Sequence, residues 1–105
     1  MHVITRKRVL EFRGSHPDAV TALDVWYRLV KAGQFRSWAA LKETFRAADH
    51  LGKGLVVFDV GGNKYRLVAH VRYTSETNVG RLWVRHVFTH AEYDGWSNRR
   101  REHGG

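Results

Sequence analysis

Apolar and polar positions alternate most regularly in the second half of the chain. In the run Lys64 to Tyr73, Tyr65, Leu67, Ala69 and Val71 fall on one side of a strand. Lys64, Arg66, Val68, His70 and Arg72 fall on the other. In the run Arg81 to Thr89, the same alternation groups Leu82, Val84, His86 and Phe88, with Arg81, Trp83, Arg85 and Val87 opposite. Matching the apolar sides predicts a sheet with one apolar face and one cationic face that also carries a tryptophan. Leu55 to Val60 reads as a third strand, with Val56, Phe58 and Val60 on a common side. Gly61-Gly62-Asn63 is a tight hairpin signal, because glycine and asparagine accept the positive φ of such turns. The polar stretch Thr74 to Gly80 connects the last two strands.

The first half has a helical period instead. Leu23, Trp26, Tyr27 and Val30 recur at helical spacing and predict a helix over Pro17 to Ala32, with Trp26 in the core. Ser15 and Asp18 have the spacing of a capping box, Pro17 suits a first turn, and Gly33 closes the segment. Arg6 to Arg13 fits a short basic helix ending at Gly14. Ser37 opens another helical stretch marked by Trp38, Leu41, Phe45 and Ala48, with Gly52 and Gly54 at its end. His2 to Thr5 reads as a short first strand. His90 to Trp96 reads as a turn or short helix. The expectation is an α+β domain: N-terminal helices on one face of a mainly antiparallel sheet, a three-stranded meander plus a short N-terminal strand. One domain over residues 1–96 is expected, followed by a mobile basic tail over 97–105.

Composition changes this picture mainly through charge. The 105 residues carry 18 Lys and Arg against 10 Asp and Glu, a formal net charge of +8. Such a surplus attracts RNA, DNA, an anionic membrane or an acidic protein. Thirteen of the bases are arginine, which favours forked contacts to phosphate. With no cysteine, disulfides and thiolate metal sites are excluded. No signal-peptide pattern or membrane-length apolar run occurs, so a cytoplasmic protein with no membrane partner is expected. On the cationic face, Lys64, His70, Arg72, Arg81, Trp83 and Arg85 are candidate RNA contacts, extended by Arg99, Arg100 and Arg101.

Seven histidines invite a metal reading, but no HExxH or Cys/His spacing occurs. No strained serine elbow, Walker loop or dinucleotide fingerprint is present. RNA cleavage without a metal remains open, because RNA supplies its own 2′-hydroxyl nucleophile. The protein must then move protons at both ends and stabilise charge on phosphorus. Arg66, His70, His90 and Tyr93 are of the right types. The residues alone equally allow a non-catalytic basic RNA- or DNA-binding module, in which His90 to Asp94 is simply a capped helix start with Tyr93 packed on the sheet.

Four pieces in order, His2-Val3-Ile4-Thr5, Ala40 to Phe45, Val57 to Val68 and Thr89-His90-Ala91-Glu92-Tyr93-Asp94, resemble the HigB-type toxins of bacterial toxin–antitoxin modules, within the RelE-like group. The resemblance implies a RelE-like fold. It implies mRNA cleavage without metal or cofactor, usually in the ribosomal A site. It also implies neutralisation by a HigA-type helix-turn-helix antitoxin, through which alone the operator DNA is contacted. Arg66 matches the family's arginine after the Gly-Gly-Asn turn, which implies phosphate binding and transition-state charge. His90 and Tyr93 match the terminal motif, which implies proton transfer or positioning.

Overall fold

The computed structural model describes residues 1–102. In chain order the elements are β1 (His2–Ile4), α1 (Lys7–Ser15), a 3-10 turn (Pro17–Ala19), α2 (Val20–Ala32), α3 (Trp38–Thr44), β2 (Asp49–Gly52), β3 (Leu55–Val60), β4 (Tyr65–Arg72), β5 (Arg81–Thr89) and α4 (His90–Glu102). The strands form one sheet in the order β1-β5-β4-β3-β2, antiparallel except for the parallel β1–β5 pair. This is the α+β arrangement expected, with one strand more. The core lies between one sheet face and the N-terminal helices. Val9 and Phe12 of α1 and Leu23, Trp26 and Val30 of α2 pack there with Val56, Phe58, Leu67, Ala69, Leu82 and Val84.

The extra strand arises where a longer helix was expected. Ser37 does cap α3, accepting the Ala40 N–H at 3.1 Å. The helix stops at Phe45, whose ring turns inward against Phe35 and Phe58. Gly52-Lys53-Gly54, with φ of 88°, 53° and 79°, is then a hairpin turn between β2 and β3 and not a helix end. Ser15 also departs from its expected capping role: it is the last residue of α1, and Asp18 instead accepts hydrogen bonds from Lys64 and from the Tyr65 hydroxyl (2.7 Å).

Two corrections bear on the far face of the sheet. Val68 pairs with His86 but Ala69 with Val84, so Arg85 is an extra residue in a β-bulge. The alternation therefore resets: Leu82, Val84 and then Val87 face the core, whereas His86 and Phe88 join the cationic side. That side also carries a full helix where a turn or short helix and a tail are expected. α4 starts directly after β5 and lies across it, with Trp96 against His86 and Phe88 and Arg100 donating to the Leu51 carbonyl of β2. Ser97 to Glu102, expected within the tail, are the last turns of this helix, and 103–105 lie outside the described residues.

Candidate functional site

Arg66 stands at the second position of β4, opposite Asp59 on β3 and Phe88 on β5. Its guanidinium is held by the Asp59 carboxylate at 3.2 Å, by the Asn63 side-chain oxygen at 2.7 Å and by the Tyr65 carbonyl at 3.2 Å. The Arg66 side chain is only 11% exposed and Asp59 24%. The hairpin explains this placement. Gly61 and Gly62 both have φ of 67°, which turns the chain tightly enough for Asn63 to reach back to Arg66. The result is a fixed, partly sheltered arginine with a defined orientation.

The other two expected site residues begin α4 at the same end of the sheet. Thr89 pairs with Tyr65, and the helix starts at the next residue. Thr89 Oγ1 accepts the Glu92 N–H at 3.3 Å, and Glu92 Oε1 accepts the Thr89 N–H at 2.8 Å. This reciprocal pair is a capping box, which fixes the first turn and hence the direction of His90 and Tyr93. His90 is exposed, with Nδ1 3.3 Å from Asp94 Oδ2 one turn on, so Nε2 is the nitrogen left to other partners. The Tyr93 ring packs 6.5 Å from Phe88 and 5.9 Å from Trp96. Phe88, the cross-strand neighbour of Arg66, thus links the arginine to Tyr93.

The remaining cationic candidates are spread out. His70 and Trp83 are paired across β4 and β5 with rings 5.6 Å apart, and the exposed Arg72 and Arg81 face each other at the far end of the same strands. Arg85 sits on the bulge. Lys64 is ion-paired with Asp18 at the hairpin, and the Asp18 carboxyl is held below its usual range by the hydrogen bonds from Lys64 and Tyr65. Arg99 and Arg101 are exposed on the last turns of α4, while Arg100 lies over the Trp96 ring at 5.7 Å. Arg66, His90 and Tyr93 therefore share one end of the sheet, and Arg72 and Arg81 occupy the other.

Two residues of the candidate site, Asp59 and His86, escape a strand-alternation reading. Asp59 was legible in principle: counting outward from the Gly-Gly-Asn turn pairs Val60 with Tyr65 and Asp59 with Arg66. His86 was not, because nothing in the sequence marks the bulge. Its imidazole is stacked on Phe88 at 4.9 Å, and burial, with Arg8 and Arg85 nearby, pushes its pKa below the usual histidine value. Among the described residues, no group of three or more His, Cys, Asp or Glu could hold a metal ion, and no helix is long and apolar enough to cross a membrane.

A family model described as HigB toxin, the RelE-like toxic component of a toxin–antitoxin system, matches residues 19–96. An mRNA interferase HigB from a uropathogenic Escherichia coli is 30% identical over 104 residues, 97% of each chain. The mRNA interferase toxin HigB of another Escherichia coli strain is 35% identical over 97 residues, spanning 90% of this chain and 88% of its own. An mRNA interferase HigB of Shigella flexneri is similar to the same degree.

Proposed function

The chain belongs to the HigB family of RelE-like toxins, and on that premise we propose that it is an endoribonuclease that cuts mRNA at the Arg66, His90 and Tyr93 end of the sheet. The reaction is in-line attack of a 2′-hydroxyl on the adjacent phosphorus. A bond forms from phosphorus to the 2′-oxygen, the bond to the 5′-oxygen breaks, and a cyclic phosphate and a 5′-hydroxyl result. One proton leaves the nucleophile and another reaches the departing oxygen. His90 and Tyr93 take these two transfers, each of which is worth roughly 10²–10⁴-fold. Arg66 carries the charge that builds on the phosphate oxygens, where a preoriented donor contributes most. Lys64 adds charge at the Arg66 hairpin, and His70, Arg72, Arg81, Trp83, Arg85 and Arg99 to Arg101 hold RNA away from the cut.

The observation that carries this reading is the anchoring of Arg66 by Asp59 and Asn63, next to the capped start of α4. A surface arginine serving bulk charge has no need of such fixing. The ribosomal A site is the expected setting, since the toxin has +8 charge to spend on RNA and a message held there is presented in single-stranded form. A HigA-type antitoxin, itself bound to operator DNA, is the expected partner, and the cytoplasm the expected location. The test is mapping of mRNA 5′ ends after brief induction. Wild type should give new ends in translated frames, and Arg66→Ala should remove them while its melting curve still shows a folded protein. Unchanged cuts in the variant would take Arg66 out of the site. Absence of cuts in wild type, with RNA binding retained, would favour the non-catalytic binding module.

A further inference from the structure

Four residues further along β4 than Arg66, the same sheet face carries a separate hollow of about 330 Å³. Its walls are Lys53, His70, Arg85, His86 and Trp96, and its floor is Leu55 and Val68. Three local devices build it. In the β2–β3 turn, Lys53 takes φ of 53° between two positive-φ glycines, a backbone region that lysine seldom occupies. Gly54 lies against His70: a Cβ there would come within 2.9 Å of His70 Nε2, so the glycine leaves the imidazole its place. The bulge at Arg85 brings two consecutive side chains, Arg85 and His86, to one face. Trp96 of α4 closes the wall, with its ring 5.4 Å from that of His86.

The lining is chemically selective. It has two cations and no acid, an apolar floor and three flat rings. Its size is that of a small-ligand site. Flat rings over an apolar floor suit an unstacked base, and the cations suit a phosphate. We propose that this hollow is a subsite for one nucleotide of single-stranded RNA, its base against His70, His86 and Trp96 and its phosphate at Lys53 and Arg85. The proposal rests on the RNA-cleaving reading and adds to it: the hollow holds a nucleotide beside the scissile pair and so sets which bond reaches Arg66. The separation along the strand, about 13 Å for four residues, keeps it distinct from the cut itself.

The test uses binding, which is read independently of cleavage. A short 2′-O-methyl oligoribonucleotide, which cannot be cut, is titrated into the full chain while histidine ring signals are followed by NMR. The His70 and His86 signals, identified by their loss in His70→Ala and His86→Ala, should shift at oligonucleotide concentrations where inorganic phosphate leaves them in place. Lys53→Asn keeps a residue that tolerates positive φ. It and Arg85→Gln should each weaken binding about fivefold at low salt and lower the salt slope by about 0.7, the loss of one single-strand phosphate contact. Equal shifts with inorganic phosphate would overturn the base-binding part. Shifts produced as strongly by an acidic peptide would reassign the hollow to a protein partner. Signals that stay still while Arg66→Ala still abolishes new mRNA ends would sink the subsite and leave the nuclease intact. Shifts without any cleavage would do the reverse.

Discussion

Arg66 shows how much one side chain depends on its neighbours. It is mostly sheltered, so its charge needs the Asp59 carboxylate, and that same cross-strand ion pair fixes the guanidinium. Asp59→Asn keeps the shape and removes the charge. The expected outcome is a fall in mRNA cleavage of one to two orders of magnitude, roughly what misplacing a catalytic group costs. Stability should fall by only about 1–2 kcal/mol, between the exposed and buried limits for a broken pair. Because Asp59 acts through Arg66, the double variant Asp59→Asn/Arg66→Ala should cleave no worse than Arg66→Ala alone, and additive losses would disprove the coupling. His86 makes a second residue-scale prediction. Its folded pKa is lowered, so the unfolded chain binds a proton more readily. The stabilisation is complete above pH 6.5, the ordinary histidine value, and is lost as pH falls below it towards the folded pKa. Urea midpoints at pH 7.5 and 5.5 should therefore drop more for wild type than for His86→Phe.

At the scale of elements, α4 owes its start to the Thr89–Glu92 capping box. Thr89→Val should cost about 1 kcal/mol, the usual worth of a cap, and lower the melting temperature by about 4–8 °C in a domain of this size. An unchanged melting temperature would mean that packing alone sets the helix. The elements also show where the sequence can be read and where it cannot. The stripe Leu23, Trp26 and Val30 announces α2 because all three bury on one helical face. Strands β3 to β5 announce themselves by alternation. β2 does not: Asp49 and His50 are both exposed, so no apolar period marks a strand whose pairing comes from β3. The bulge leaves no local signal either, and it alone moves His86 and Phe88 to the cationic face. The length of α4 was hidden by its polarity. Arg99 to Arg101 look like a solvated tail in isolation, yet in the last turn of a helix they complement the negative end of its dipole. The positions of Arg66, His90 and Tyr93 were legible as motifs, while the ion pair and cap that orient them depend on contacts between elements.

For the whole molecule, the two sheet faces are unequal. The N-terminal helices cover one face with a large core that includes Phe58, Leu23, Leu67, Leu82, Val30 and Val56, each almost completely buried. On the other face Val57 and Val68 are buried, but none of the described residues of α4 is. That helix is attached by Tyr93 and Trp96, by the cap at one end and by Arg100 at the other. Apolar burial supplies most of the stabilisation of a docked element, so this layer should open at a lower free energy than the core beneath the opposite face. The opening bears on the proposed function, because α4 carries His90 and Tyr93, the two residues proposed for proton transfer, and also closes the hollow with Trp96. Native-state hydrogen exchange provides the measurement. Amides of α4 should exchange through a sub-global opening with a small dependence on denaturant, while those of Leu67 and Ala69 in β4 should require global unfolding. Trp96→Ala should lower the α4 opening energy by more than it lowers the global one. Exchange of α4 and β4 at the same free energy and the same denaturant slope would show instead that the two faces unfold as one cooperative unit.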